Sequence, residues 1–207
     1  MSEYDKAYFD DGSKRGYKGH TWERLRSMSF EEGSLVFNDP TFVKEFAAIV
    51  KPLDIKTALE VGCLSGELKD TIPGCQGIDL NPRRPDIITG DFMKHTEFYD
   101  LIFSSGLLEH YPKEVALKMI RRMKKHGTYV LNFVPNTDCK GYMDNKKRTD
   151  APWKDELDFT LDELIDLHEK AKLTILQSGY AGKEWSKRFG GDGSQPYLVW
   201  CLGRKPE

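Results

Sequence analysis

The chain has 207 residues, and 31 basic against 33 acidic side chains leave it a net charge of −2. This length suits one domain with a full core, and a charge so near zero argues against a surface built to grip DNA. Charged residues begin at position 3, and no apolar run approaches the roughly 18 residues that span a bilayer, so neither a secretory signal nor a membrane span is predicted. The 4 cysteines lack zinc-site spacing and favour a reduced, cytoplasmic protein.

The first 52 residues are predicted to form an N-terminal arm with helices. Residues 1–20 are rich in Tyr, Asp, Gly and Lys without a clear period, and residues 21–30 could form a short helix. A clearer helix begins at Asp39 as N-cap with Pro40 in its first turn, and it ends near Pro52. Because the arm carries many aromatic residues outside a core pattern, it is a candidate lid over a binding site.

From residue 57 onward, short apolar strands alternate with turns and helices. Strands are predicted at 57–61, 74–79, 85–89, 99–105, 127–134, 173–180 and 196–203, and helices at 112–125 and 160–171. This order predicts an α/β fold over 53–207: a single Rossmann-like, doubly wound sheet, mostly parallel with one antiparallel edge strand. Its crossover helices are reduced. The first has room for about two turns before Cys75, and residues 81–85 leave no room for a helix between strands two and three.

A glycine-containing turn, Glu60-Val-Gly-Cys-Leu-Ser-Gly66, lies where the first strand gives way to the next element. Glycines there let the backbone turn tightly and approach a ligand, whose polar groups meet free N–H groups. Asp79 follows at the end of the next strand, where an acid can accept hydrogen bonds from both hydroxyls of a ribose. The pattern predicts a nucleoside-binding site.

A dinucleotide cofactor fits this turn poorly. Counting from Gly62, the second and third positions of the G-x-G-x-x-G pattern hold Leu64 and Glu67. Glu60, directly before the turn, would repel a pyrophosphate, whereas a carboxylate there suits a ligand that carries a free amino group.

With these residues in place, the sequence resembles the class I S-adenosylmethionine-dependent methyltransferases. The turn from Glu60 to Gly66 is similar to the first motif of that family, and the stretch from Phe98 to His110 is similar to its fourth strand with a Leu-Glu-His ending. The resemblance implies S-adenosylmethionine as cofactor and S-adenosylhomocysteine as product. It implies these cofactor-binding residues: Glu60, Gly62, Cys63, Gly66, Asp79, Leu80, Asp91, Phe92, Ser104 and Ser105. Within this set the methionine end falls to the first turn and Ser104, the ribose to Asp79, and the adenine to Asp91 and Phe92.

The acceptor side of the site is predicted at His110 and Tyr111, where His110 could act as a general base toward a substrate hydroxyl. His95, His126 and His168 show no partner spacing and are predicted at the surface, and no histidine–carboxylate cluster predicts a metal. Ser-Ser-Gly-Leu after the fourth strand replaces the Asn/Asp-Pro-Pro-Tyr/Phe motif of enzymes that methylate nucleic-acid bases, and so argues against that activity.

Several functions remain open at this stage. Methyl transfer to a small-molecule or sugar hydroxyl is the first interpretation, because the chain shows no appended recognition domain and no basic charge excess. Leu64 stands where the family commonly has glycine, which motivates an alternative: a non-catalytic partner or regulatory subunit that binds the cofactor. Methylation of a protein or RNA is a further alternative. The polar stretch 136–159 is long for an internal loop and is a candidate wall of the substrate site.

Overall fold

The computed structural model describes residues 40–64, 66, 68–82, 84–147, 155–188 and 192–206. Its strands are β1 (Ala58–Val61), β2 (Gln76–Asp79), β3 (Ile88–Thr89), β4 (Tyr99–Ser105), β5 (Gly127–Pro135), β6 (Thr174–Ala181) and β7 (Leu198–Arg204). Its α-helices are α1 (Pro40–Val50), α2 (Lys113–His126), α3 (Lys140–Lys146), α4 (Leu161–Lys170) and α5 (Lys183–Arg188). Residues 1–39 of the predicted N-terminal arm, which include the short helix predicted at 21–30, lie outside the described residues.

All seven strands join one sheet in the order β3-β2-β1-β4-β5-β7-β6. Strands β1 to β5 pair in parallel, while β7 runs antiparallel to both β5 and β6. The predicted doubly wound, mostly parallel sheet with one antiparallel strand is therefore confirmed. That strand is β7. It lies one position in from the edge, because the chain forms the edge strand β6 first and then returns as β7 between β6 and β5.

Strand β4 shows how alternating side chains fill both faces of the sheet. Leu101 and Phe103 point to one face, where they pack with α1, and Ile102 points to the other, where it packs with α2 and α4. All three side chains are completely buried, which is why this strand reads as a continuous apolar run. The sheet is thus the middle of three layers, and its carboxyl edge is held rigidly.

Helix α1 forms part of this core. The Phe46 ring lies 5.0 Å from the ring of Phe103, and the Phe42 ring lies 5.2 Å from that of Phe133. The Glu45 carboxylate also accepts a hydrogen bond of 2.7 Å from the backbone N–H of Gly182, next to α5. The apolar face of α1 therefore packs on the sheet.

The β1–β2 and β2–β3 connections contain little helix, as predicted. The first connection contains even less helix than predicted. Among the described residues between β1 and β2, the only helical element is the single 3-10 turn Lys69–Thr71, in place of the predicted two-turn helix. No helix lies among the described residues that connect β2 to β3. The stretch predicted as a long loop at 136–159 contains helix α3, which the sequence analysis missed, as it missed α5.

Candidate functional site

The site lies at the carboxyl edge of the sheet, between β1 and β4. These two adjacent strands are the point at which the strand order reverses, since β1 leads outward to β2 and β3 while β4 leads to β5. In an open parallel sheet the loops that follow two such strands separate, and ligands bind in the crevice between them. The predicted glycine turn follows β1, and the predicted acceptor residues follow β4.

Left-handed backbone conformations make the turn after β1. Gly62 and Gly66 have φ of +70° and Leu64 has φ of +45°. A side chain at Gly62 would place its Cβ 2.6 Å from Cδ1 of Leu107, in the loop after β4. Gly62 is therefore needed both for its dihedral angles and for the close approach of the two loops that border the crevice.

Leu64 occupies a conformation that costs a non-glycine residue roughly 1–2 kcal/mol. Its backbone N–H donates a hydrogen bond of 2.9 Å to Oδ2 of Asp79, which holds the turn in place. Leu64, which stands where the family commonly has glycine, is thus a strained residue, because a leucine adopts there a backbone geometry that glycine adopts freely.

Asp79, at the end of β2, joins the turn to the loop that follows β2. While Oδ2 accepts the Leu64 N–H, Oδ1 accepts a hydrogen bond of 2.7 Å from the N–H of Asn81. Each carboxylate oxygen can accept a second hydrogen bond, so the group keeps the capacity to bind a diol. The predicted neighbour Leu80 is 41% exposed and presents an apolar surface beside it.

Asp91 and Phe92 begin a 3-10 turn, Phe92–Lys94, after β3. The Asp91 carboxylate caps this turn by accepting a hydrogen bond of 2.8 Å from the N–H of Met93. The turn directs Phe92 inward, where it is buried in the core, and leaves Met93 exposed. The apolar surface beside Asp91 therefore comes from Met93 rather than from the predicted Phe92.

Glu60 and Cys63 both lie inside the protein. The Glu60 carboxylate is 5% exposed and accepts a hydrogen bond of 2.9 Å from the backbone N–H of Lys69, at the start of the 3-10 turn Lys69–Thr71. The Cys63 thiol packs against β2, because a Cβ at Gly77 would lie 2.6 Å from its Sγ. Burial and the nearby charges of Glu60 and Asp79 raise the pKa of this thiol, so it stays neutral.

The two serines at the end of β4 have different surroundings. Ser104 is fully buried on the α2 and α4 face, and its Oγ accepts a hydrogen bond of 2.8 Å from Nδ2 of Asn132 on β5. The Asn132 Oδ1 in turn lies 2.9 Å from Nε2 of His168 on α4. Ser105, one position on, is only partly buried and lies at the crevice. Alternation of side chains along β4 explains this difference.

The prediction that His168 and His126 lie at the surface is wrong. His168 is completely buried and its Nδ1 has no hydrogen-bond partner among the described residues. Burial lowers the pKa of His168 to about 3, so the imidazole is neutral. His126 is 9% exposed at the end of α2, and its Nδ1 lies 3.1 Å from the carbonyl oxygen of Thr96. His168 faces the sheet, since a Cβ at Gly203 of β7 would lie 3.2 Å from its Nδ1, whereas His126 contacts the loop before β4.

His110 and Tyr111 follow β4 as predicted, at the 3-10 turn Leu108–His110. Both side chains are partly buried, and Tyr111 packs against the core. The Nδ1 of His110 lies 3.9 Å from Oε1 of Glu156, a residue of the long polar stretch that the sequence analysis did not single out. A carboxylate at this place can orient the imidazole and stabilise its protonated form.

The chain also contains the histidine–carboxylate cluster that the sequence analysis did not expect. One ligand atom each from Glu109, His110 and Glu156 lies within 4.8 Å of the other two. The Tyr142 hydroxyl on α3 donates a hydrogen bond of 2.8 Å to Oε2 of Glu156, and the N–H of Leu157 donates one of 2.7 Å to the carbonyl oxygen of Glu109. These contacts fix residues 155–157 against the loop after β4.

Burial governs the charges in this cluster. It raises the pKa of Glu156 to about 7, and burial together with the Glu156 charge raises that of Glu109 well above its ordinary value. The same two causes raise the pKa of the Tyr142 hydroxyl, which therefore remains a donor. No local pattern could have revealed Glu156 or Tyr142, because both lie far along the chain from Glu109. The two glutamates alone are separated by 47 positions.

The comparisons with known proteins were informative for structure alone. The sequence matches no protein-family model and no curated protein. The structure is similar to magnesium protoporphyrin IX methyltransferase from Synechocystis with bound S-adenosylhomocysteine, with a TM-score of 0.66, 14% identity, and coverage of 97% of each chain. It is also similar to the N-methyltransferase NodS from Bradyrhizobium japonicum, in complex with S-adenosylhomocysteine, with a TM-score of 0.60, 15% identity, and coverage of 97% of this chain and 99% of that chain. A third similar structure, mitomycin 7-O-methyltransferase MmcR, has a TM-score of 0.53, 15% identity, and coverage of 98% of this chain and 69% of that chain.

The chain has the methyltransferase fold. This confirms the Rossmann-like architecture that the resemblance implied, and it places the turn after β1 and the loop after β4 at the edge of the sheet where ligands bind in such folds. Within the described residues, no helix has both the length and the apolar character needed to cross a bilayer.

Proposed function

We propose that this protein binds S-adenosylmethionine and transfers its methyl group to a hydroxyl oxygen of a small molecule or a sugar. One observation carries the proposal: the turn after β1, whose Gly62, Leu64 and Gly66 all have positive φ, is tied to the Asp79 carboxylate at the strand-order switch point. This arrangement joins a close backbone approach to a diol acceptor, and both are needed to hold a nucleoside.

The cofactor would lie along the crevice from β3 to β4. Asp79 would bind the ribose, and Asp91 would accept from the adenine amine beside the exposed Met93 and Leu80. The methionine end would then extend over the turn. It would meet the backbone at Gly62, Cys63 and Gly66 and at Ser104 and Ser105, while the Glu60 charge attracts its ammonium group.

The chemistry needs little from the protein beyond alignment. The methyl carbon leaves a positively charged sulfur for the acceptor oxygen, so the S–C bond breaks as the C–O bond forms, and neutral S-adenosylhomocysteine departs. The hydroxyl proton must go to a base, and His110, which lies beside Glu156, is the candidate, with Tyr111 next to it. The protein contributes by holding sulfur, methyl and oxygen in line and by excluding water.

The choice of acceptor is supported by similar structures and by charge. The similar structures include a mitomycin 7-O-methyltransferase and a magnesium protoporphyrin IX methyltransferase, which are named for small-molecule acceptors. The net charge of −2 makes DNA an unsuitable partner. All 4 cysteines are free and buried or half-buried, which suits a reducing cytoplasm.

Isothermal titration calorimetry with S-adenosylhomocysteine tests the cofactor assignment, with NAD⁺ as the contrasting ligand. We expect binding of S-adenosylhomocysteine alone, and a loss of at least about tenfold in Asp79→Asn, which removes a charged acceptor from the ribose. Asp144→Asn is the matched control, because Asp144 is an exposed aspartate of α3 that pairs with Lys140. Binding of neither ligand by the wild-type protein would end the cofactor proposal.

A second experiment tests the reaction. The protein is incubated with S-adenosylmethionine that carries a labelled methyl group and with separate pools of hydroxylated small molecules, amines, RNA and protein. Label transfer to the hydroxyl pool, reduced in His110→Gln, supports the proposal. Transfer only to RNA or protein would correct the acceptor class, and cofactor binding without transfer to any pool would favour the non-catalytic alternative.

A further inference from the structure

The loop after β4 and the segment before α4 bring two glutamates together away from water. Glu109, in the loop after β4, is 2% exposed, and Glu156, in the segment before α4, is 8% exposed. The Oε2 atom of Glu109 has no hydrogen-bond partner among the described residues. A carboxylate oxygen buried in this way is costly unless a positive group or a donor meets it.

A neighbouring lysine does not fill this need. Lys146 of α3 lies close to the pair, but its Nζ donates to the carbonyl oxygen of Glu156 and to the carboxylate of Asp158, each at 2.5 Å. Its charge is therefore compensated by Asp158. The Tyr142 hydroxyl is also engaged, since it donates to Oε2 of Glu156. Neither contact supplies a partner for the Glu109 oxygen.

The third member of the cluster completes a set of metal-ligating atoms. Nδ1 of His110 is 3.9 Å from Oε1 of Glu156, and one ligand atom from each of the three residues lies within 4.8 Å of the other two. Ligand atoms around a metal at about 2.1 Å lie roughly 3 Å apart, so the three groups must close by about 1 to 2 Å, which requires the side chains to rotate when the ion binds. One imidazole and two carboxylates suit a first-row divalent cation such as Mn²⁺ or Zn²⁺.

We propose that Glu109, His110 and Glu156 bind one divalent first-row metal ion at the acceptor end of the crevice. Three protein ligands leave coordination positions open, which is the arrangement of a catalytic rather than a structural site. His110, with 18% of its side chain exposed, is the ligand that faces solvent, so the open positions lie on its side of the cluster.

The consequence for methyl transfer rests on the proposed function. A metal ion at this place would bind the acceptor hydroxyl and favour its loss of a proton, which makes the oxygen a better nucleophile. His110 would then be a ligand in the metal-loaded protein, and its role as proton acceptor would belong to the metal-free protein only. An acceptor with two neighbouring oxygens would bind best, because it could fill two open positions.

Direct metal binding tests the proposal without an acceptor. Full-length protein stripped with a chelator is titrated with Mn²⁺, and free Mn²⁺ is measured by electron paramagnetic resonance, with Zn²⁺ added afterwards as competitor. We expect one Mn²⁺ per chain, displaced by Zn²⁺, and at least tenfold weaker binding in Glu156→Gln and Glu109→Gln. Glu184→Gln is the matched control, because Glu184 is a glutamate of α5 paired with Lys187 and outside the cluster.

Loss of binding must be separated from loss of folding. Replacing a buried glutamate with glutamine removes charge repulsion, so the metal-free variants should unfold at temperatures equal to or above that of the wild type. The proposal would be overturned if the wild-type protein bound neither Mn²⁺ nor Zn²⁺, or if both glutamine variants bound the metal as tightly as the wild type. The two carboxyls would then share a proton instead. S-adenosylhomocysteine titration of the same samples keeps the two proposals apart, since either ligand can bind when the other does not.

Discussion

The buried imidazole of His168 should make the protein lose stability as the pH falls below about 6.5. The side chain is completely buried, and burial lowers its pKa from 6.5 to about 3 in the folded protein. Because Asn132 donates to Ser104, its Oδ1 atom must accept from Nε2–H of His168, which fixes the neutral tautomer. Protonation would place a charge in the core at Nδ1, which has no hydrogen-bond partner among the described residues.

The size of the effect follows from the two pKa values. Between pH 6.5 and about 3 the unfolded chain binds a proton at His168 that the folded protein does not bind. Stability therefore falls with decreasing pH by about 1.4 kcal/mol for each pH unit in that window. From pH 7 to pH 5 the loss amounts to about 2 kcal/mol, a large fraction of the stability of an ordinary domain.

Urea denaturation at pH 7, 6 and 5 measures this loss in the wild type and in His168→Gln. Glutamine keeps a donor for Asn132 and cannot take up a proton, so the variant should lose about 2 kcal/mol less than the wild type over the range. The raised pKa values of Glu109 and Glu156 act in the opposite direction, but they are common to both proteins and cancel in the comparison.

Equal pH dependence in wild type and His168→Gln would refute the reasoning. It would mean that His168 takes up a proton in the folded protein, so that α4 either opens locally or admits water beside Nδ1. Hydrogen exchange of the α4 amides at pH 5 distinguishes these two cases, since only local opening lowers their protection.

Three further comparisons test the turn and the packing by chemical denaturation. Leu64→Gly should be more stable than Leu64→Ala by about 1 kcal/mol, because only glycine adopts the observed φ of +45° without strain, and equal stability would contradict this. Gly62→Ala should cost about 1–3 kcal/mol, since its Cβ would lie 2.6 Å from Leu107, and a neutral effect would show that the two loops are not in contact. Phe46→Ala should cost about 3–5 kcal/mol, as expected for a fully buried ring, whereas Phe98→Ala, at a position 56% exposed, should change stability by less than about 0.5 kcal/mol. A small effect of Phe46→Ala would exclude α1 from the cooperative core.

The core strands were predictable because each obeys a local rule. The centres of strands β4 and β5 are apolar, and a parallel strand covered on both faces requires that composition. The capping box at Thr160 and Glu163 identified the start of α4, since the reciprocal hydrogen bonds form between residues three positions apart. Short helices escaped prediction, because α3 has only 7 residues and α5 only 6, too few to show a helical period.

By itself the sequence determined the strands, the mostly parallel character of the sheet, and the turn between Glu60 and Gly66, because side-chain alternation, glycine conformations and capping act over a few residues. It also indicated Asp79 and His110, which follow their strands directly. Only the tertiary structure decided that Glu156 lies beside Glu109 and His110, that Phe92 turns into the core, and that His168 is buried against Asn132. Those outcomes depend on contacts between residues tens of positions apart, and their energies come from burial and charge, which no single segment of the chain contains.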